Sequence, residues 1–190
     1  MPQRRLVVDT SSLINLLATG RELEIALGLD WSLTISGHTR KETLFLSTPP
    51  DEDGRRKRVP ADLKPLIASG RLTIHELGDE WLDAFVSCAE HLPDEDASAV
   101  ALAGHLRVAL ATDAPKEMKI GKQLFGGLKV VTTRGWLHEA ASVLKWTDET
   151  SLVVASNLRW RGNFLPPGKH QHREWYLDLL TRTERNQRRE

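Results

Sequence analysis

Five short runs of β-branched and apolar residues recur along the chain, each followed by a stretch with helical spacing. The runs lie at residues 6–8, 33–35, 72–74, 108–111 and 129–132. Apolar runs without polar alternation are typical of strands buried on both faces, which occur in parallel sheets covered by helices. The pattern predicts an α/β fold with three layers, α/β/α, around a mostly parallel sheet of about five strands.

Helical spacing of apolar residues predicts the intervening helices. They fall near residues 12–18, 21–28, 38–46, 61–68, 80–91, 95–106, 115–125 and 135–146. Between two of them, residues 47–60 combine the pair Pro49-Pro50 with acidic residues and the basic run Arg55-Arg56-Lys57-Arg58, a composition that predicts an exposed loop.

Charge divides the chain into two parts, although the formal net charge of the 190 residues is zero. Residues 1–150 hold 18 Lys and Arg against 22 Asp and Glu, whereas residues 151–190 hold 8 against 4. We therefore predict a main domain over residues 1–146 and a basic helical extension over residues 147–190 that packs on it or projects from it. The surplus of Arg suits either a solvated terminal helix or an anionic partner.

Composition excludes several classes of protein. Cys88 is the single cysteine, so the chain has neither an internal disulfide nor the cysteine pairs of a structural zinc site. The apolar run after Arg4-Arg5 is too short for a signal peptide, and no segment approaches the length of a membrane span. We expect a cytoplasmic protein without a membrane contact.

Two aspartates directly follow predicted strands. Asp9 follows Leu6-Val7-Val8, and Asp113 comes at the end of the run that begins at Val108. Carboxyl ends of parallel strands meet at one edge of the sheet, and in the common strand orders these two strands are neighbours. Two acids placed there repel each other, and a divalent ion would remove that penalty.

Two further acids lie near the same edge. Glu42 falls in the predicted helix 38–46, where its i+3 and i+4 neighbours Phe45 and Leu46 are apolar, which predicts that it points inward. Glu95 and Asp96 open the predicted helix 95–106, and periodicity alone does not separate them. A set of carboxylates without His or Cys suits Mg²⁺ or Mn²⁺ and argues against zinc.

Four segments in this order resemble the PIN domain nuclease superfamily. The segments are Leu6-Val7-Val8-Asp9-Thr10-Ser11-Ser12-Leu13-Ile14, Arg40-Lys41-Glu42-Thr43-Leu44, Asp96-Ala97-Ser98-Ala99-Val100-Ala101-Leu102-Ala103, and Leu110-Ala111-Thr112-Asp113 with the later Val130-Val131-Thr132-Thr133-Arg134-Gly135-Trp136-Leu137. The match covers roughly residues 5–146 by the order of its elements. The resemblance favours Asp96 over Glu95 as the third acid.

The resemblance implies an endoribonuclease that depends on Mg²⁺ or Mn²⁺ and cleaves RNA phosphodiester bonds. The metal ligands and catalytic residues would be Asp9, Glu42, Asp96 and Asp113, with the hydroxyls of nearby Ser and Thr residues bonded to the carboxylates. Those hydroxyls belong to Ser11 and Thr112. Many small members are toxins, so the resemblance also implies an antitoxin partner and a homodimer.

The chain departs from the family pattern at three places. Ala114-Pro115 stand where many members carry a second acid after the fourth, and we do not expect Glu117 to replace it. The loop 47–60 is an insertion relative to compact members, and residues 147–190 extend beyond the small toxins. These departures bear on the toxin assignment more than on the nuclease assignment.

A non-catalytic RNA-binding or protein-interaction module on the same scaffold is the alternative from another class. PIN-like folds can lose their metals, and Ala114 is consistent with a reduced acid set. Metal-dependent cleavage of RNA distinguishes an enzyme from such a module. Basic residues of 55–58 or of the tail would follow the RNA backbone in either case.

Overall fold

The structure is a computed structural model that describes residues 3–42, 44–48, 51–165 and 172–187, with side chains described up to residue 183. The Arg residues at 188 and 189, which contribute to the basic tail, lie outside the described residues.

Five parallel strands form the central sheet, in the order β5-β2-β1-β6-β7. The strands are β1 (Arg4–Val8), β2 (Trp31–Ser36), β5 (Leu72–His75), β6 (Ala109–Ala111) and β7 (Val130–Val131). The predicted fold class is confirmed, because all five predicted strands form and helices flank them. In the register of the sheet, Val8 of β1 pairs with Ala111 of β6, so the two strands end side by side.

Helices cover both faces of this sheet. They are α1 (Thr10–Ala18), α2 (Glu22–Gly28), α3 (Gly37–Lys41), α4 (Lys64–Ala68), α5 (Asp79–Ala89), α6 (Asp94–Leu106), α7 (Pro115–Leu124), α8 (Thr133–Val143), α9 (Asp148–Trp160) and α10 (Arg173–Gln187). Alternate residues of β1 separate two cores: Leu6 and Val8 pack in the core that holds α1, α2 and α8, and Val7 packs in the core that holds α5 and α6.

The predicted helix 38–46 is wrong over its second half. Helix α3 ends at Lys41, and the backbone of Glu42 is already extended, with φ −63° and ψ 139°. The chain then enters β3 (Phe45–Ser47), which pairs antiparallel with β4 (Arg58–Pro60). The predicted loop 47–60 is therefore the end of a β-hairpin, and its described residues from 51 to 60 are almost all exposed. β-branched and aromatic propensity was too weak a signal here, since each strand has only three residues.

The C-terminal segment packs on the rest of the chain. Helix α9 was not predicted individually, yet its Val154 and Leu158 belong to the same core as β1 and α1. Tyr176 and Leu179 of α10 are buried in that core as well. The buried residues of α9 and α10 thus belong to the core that covers one face of the sheet. Within the described ranges no helix is long and apolar enough to cross a bilayer.

We predict that the central strands carry the stability of the fold. Leu33 of β2 is completely buried, so Leu33→Ala should lower the free energy of unfolding by about 2–5 kcal/mol through lost burial and a cavity. Leu27 of α2 is 50% exposed, and Leu27→Ala should cost less than about 1 kcal/mol. Urea unfolding of both variants measures the difference, and equal losses would contradict this assignment of the core.

Candidate metal centre

Asp9 ends β1 and at the same time caps α1. Its carboxylate accepts hydrogen bonds from the Ser12 amide at 2.6 Å and from Ser11 Oγ at 3.0 Å. The side chain is 3% exposed, and burial raises the pKa of Asp9, whereas the hydrogen bonds from residues 11 and 12 and from Thr112 oppose that rise. The expected hydrogen bonds from Ser11 and Thr112 to a candidate site carboxylate are present at Asp9.

Asp113 follows the neighbouring strand β6 and meets the start of α8. Its two carboxylate oxygens lie 3.1 and 3.3 Å from the Thr133 amide, which donates a hydrogen bond to them. Burial raises the pKa of Asp113, while this hydrogen bond and the charge of Arg134 lower it. Arg134 is fully buried, and sequence reasoning gave it no role beyond the family-like segment that contains it. Its charge compensates part of the negative charge at this edge.

Asp96 lies in the first turn of α6 and is half-buried, whereas Glu95 beside it is exposed. Burial raises the pKa of Asp96, and the negative charges of Asp9 and Glu95 raise it further. The charge of Lys116 acts in the opposite direction. Periodicity did not separate Glu95 from Asp96. The structure shows that Asp96 is the less exposed of the two and lies near the carboxylate of Asp9.

Glu42 reaches the same edge, although the helix expected to carry it ends one residue earlier. One of its carboxylate oxygens accepts a hydrogen bond from the Thr10 hydroxyl in the first turn of α1. Burial raises the pKa of Glu42, and the hydrogen bond from Thr10 lowers it. The negative charges of Glu95, Asp96 and Asp9 raise this pKa further. The apolar i+3 and i+4 neighbours did not cause this placement, because they lie in β3 rather than on a shared helix face.

Glu117, which was not expected to join the site, is the most deeply buried glutamate at this edge. It lies in the first turn of α7 and is 2% exposed. Burial raises its pKa to about 9, and the charges of Asp9, Asp96 and Asp113 add to the effect, while a hydrogen bond with Thr112 lowers it. Its Oε2 atom is buried without a hydrogen-bond partner among the described residues.

A usable signal for Glu117 was present in the sequence. Pro115 favours a helix that begins directly after Ala114, because proline is well suited to the first helical position. Ile120 and Gly121, three and four residues after Glu117, are both buried. The same spacing argument that was applied to Glu42 would therefore have placed Glu117 on an inward helix face.

These five carboxylates suit a hard divalent cation. They supply only oxygen donors, and burial raises the pKa of each. Neighbouring negative charges add to the rise in Glu42, Asp96 and Glu117, and one buried oxygen of Glu117 lacks a partner among the described residues. Among the residues that the structure describes, no three His, Cys, Asp or Glu side chains are close enough together to hold one ion directly. Mg²⁺ is commonly bound through one or two carboxylates and several waters, so the donor set fits an ion of this kind.

Comparison with known proteins adds no assignment: no family model, no curated protein and no solved structure matches the chain. The resemblance to PIN domain nucleases, and the cofactor and partners that it implies, therefore stay predictions.

We predict that the buried carboxyl of Glu117 makes stability fall as pH rises. In the unfolded chain this carboxyl ionises near its reference pKa of 4.5, but in the folded chain it stays protonated to about 9. Between these values ionisation favours the unfolded chain, by at most about 1.4 kcal/mol per pH unit. Without divalent ions, Glu117→Gln should therefore be more stable than the wild type by about 2 kcal/mol or more near pH 8.

Chemical unfolding in EDTA at about pH 5 and about pH 8 measures this stability difference. The gain of the Gln variant should shrink to about 1 kcal/mol or less at the lower pH, where residue 117 is neutral in the folded chain and its ionisation in the unfolded chain has only begun to matter. Glu52→Gln, on the exposed end of the hairpin, is the matched control and should leave the pH dependence unchanged. A gain at position 117 that is the same at both pH values would contradict the assignment.

Proposed function

We propose that the chain is a Mg²⁺- or Mn²⁺-dependent endoribonuclease with a PIN-like fold. The observation that supports this most strongly is the pair Asp9 and Asp113 at the ends of adjacent parallel strands, facing Asp96 and Glu117. Burying several like charges at one edge is unfavourable unless a cation compensates them. RNA as the substrate class comes from the family resemblance and is part of the proposal.

The residues that would hold the metal, directly or through bound waters, are Asp9, Asp96, Asp113 and Glu117, with Glu42 at the margin of the cluster. When bound, the ion would lower the pKa of a coordinated water and stabilise the negative charge that develops during phosphodiester hydrolysis. A metal ion bound here would also remove the repulsion that raises the pKa of these carboxyls.

The chain itself fixes the orientation of the carboxylates. Ser11 and the Ser12 amide hold Asp9, the Thr133 amide holds Asp113, and Thr10 holds Glu42. Such contacts restrict the rotamers of metal-binding carboxylates and keep their oxygens directed at the site. Asp96 and Glu117 lie in the first turns of α6 and α7, where the positive end of the helix dipole offsets part of their charge.

We predict that cleavage requires Asp9 and a divalent ion. Purified protein should cut unstructured RNA in Mn²⁺ and stop after addition of EDTA, and Asp9→Asn should lower the rate by about 100-fold or more. Asp83→Asn, on the exposed side of α5, is the matched control and should retain full activity. Circular dichroism establishes that both variants fold.

Two outcomes would contradict the proposal. One is full activity in folded Asp9→Asn protein, which would remove the carboxylate cluster from the reaction. The other is RNA binding without cleavage in every divalent ion tested, which would favour the non-catalytic module.

A second prediction concerns Glu117 as a ligand. Glu117→Gln should raise the Mn²⁺ concentration needed for half-maximal cleavage by about tenfold, because substitutions around metal ligands weaken metal affinity by about 10–100-fold. Glu90→Gln on the exposed end of α5 serves as control and should leave that concentration unchanged. An unaltered Mn²⁺ dependence in Glu117→Gln would exclude Glu117 from the metal site.

A further inference from the structure

A large groove lies at the opposite edge of the sheet from the carboxylate cluster. Its volume is about 1230 Å³, and it is formed by the beginnings of β1, β6 and β7 and the ends of α6 and α7. Arg5 in its lining precedes Asp9 by four residues of β1, which corresponds to about 13 Å along an extended strand. We call this feature the basic groove.

The lining of the basic groove carries positive charge without acidic residues. It includes five cationic side chains and no Asp or Glu, the five being Arg4, Arg5, Arg107, Lys122 and Lys129. Of these, Arg4 pairs with Glu139 at 2.5 Å, whereas the other four form no ion pair with any carboxylate of the described residues. The ends of α6 and α7 contribute only about half a negative charge each, so the groove keeps a strong positive potential.

A glycine turn adds donors for an anion. Gly126 and Gly127 connect α7 to β7, both are exposed, and a side chain at either position would meet open space. Their amides donate no hydrogen bond to the described residues. Exposed amides next to Lys122 and Lys129 form a suitable environment for phosphate oxygens. Beside the turn, the half-buried ring of Phe125 packs on Gly104 and provides an aromatic surface.

Strand β7 leads from the basic groove toward the carboxylate cluster. Strand β7 is an edge strand, and both of its residues, Val130 and Val131, line the groove. Two residues beyond Val131, the Thr133 amide donates its hydrogen bond to Asp113. An extended polyanion that occupies the groove and follows β7 therefore arrives at the carboxylates.

The basic run 55–58, one of the two segments that the sequence offered for contact with an RNA backbone, lies elsewhere. The hairpin leads away from Glu42 along α1, since the Ser47 amide donates to the Arg161 carbonyl and the Arg161 side chain lies beside Gly20 beyond the end of α1. Arg56 covers the ring of Trp160, with 4.6 Å from the guanidinium carbon to the ring centroid. Its contacts are thus with the body of the protein.

We propose that the basic groove binds the phosphate backbone of single-stranded RNA and guides it along β7 to the carboxylate cluster, an inference that rests on the proposed nuclease function for its direction. The path along β7 toward the proposed phosphodiester-cleaving site favours RNA over an acidic peptide. Point charges on flexible lysines and exposed amides contact a backbone without reading sequence, so binding is sensitive to salt and tolerant of sequence.

The test measures RNA binding in EDTA, where the carboxylates hold no metal and cleavage does not interfere. The probe is a fluorescein-labelled, unstructured RNA of about 16 nucleotides, within the site sizes of single-strand binding folds, and the variant is Lys122→Glu with Lys129→Glu. At about 0.1 M salt its affinity should fall about tenfold or more, and the slope of log affinity against log salt should become shallower by about 1. The control pair Lys64→Glu with Lys119→Glu has the same change of charge outside the groove and should lose less than about twofold.

The milder pair Lys122→Gln with Lys129→Gln separates charge from misfolding, and it should show a smaller loss in the same direction. Equal losses in the groove and control pairs would overturn the proposal. Tighter binding of a labelled poly-glutamate peptide, abolished in the groove pair, would also overturn it, because the groove would then serve an acidic peptide.

If the groove pair weakens RNA binding but the wild type cleaves no RNA in Mn²⁺, the groove proposal is supported and the nuclease proposal fails. Cleavage without a specific effect of the groove pair would support the nuclease proposal and overturn the groove.

Discussion

The burial of carboxylates at one edge of the sheet is the constraint on which the candidate site depends. Asp9 and Asp113 are brought together by the pairing of β1 with β6, and Glu117 is buried beside them. Burial raises the pKa of each of the five acids, and neighbouring negative charges add to the rise in Glu42, Asp96 and Glu117. A protein keeps such an arrangement at a cost to its own stability, which a bound cation would remove.

The N-termini of four helices reduce the cost of burying these carboxylates. Helices α1, α6, α7 and α8 all begin at the carboxylate edge, and each contributes either an acid in its first turn or an amide to an acid from a strand. The positive ends of their dipoles offset part of the negative charge. At the other edge of the sheet, α6 and α7 end among Arg and Lys side chains. The polarity of the helices thus separates an acidic edge from a basic groove, which a strand of RNA would connect.

Much of this arrangement could be predicted from the sequence because it follows from local patterns. Unbroken apolar runs located the five strands, and parallel pairing then placed Asp9 beside Asp113. Periodicity failed at residues 38–46, where three-residue strands carry too little pattern to compete with an apparent helix. The inward spacing of Glu117 with Ile120 and Gly121 was not used, and the depth of its burial depends on the packing of α7 against α5 and α6. The basic groove was not predicted, because its cationic residues belong to separate elements that only the folded structure brings together.

The proposed nuclease activity requires that the clustered carboxylates bind one or more divalent ions together. Crystals soaked in Mn²⁺ and measured at a wavelength where manganese scatters anomalously would locate such ions. We expect an anomalous peak enclosed by the carboxylates of Asp9, Asp96, Asp113 and Glu117. Manganese peaks confined to other surfaces, with no density among these side chains at high Mn²⁺ concentration, would contradict the account.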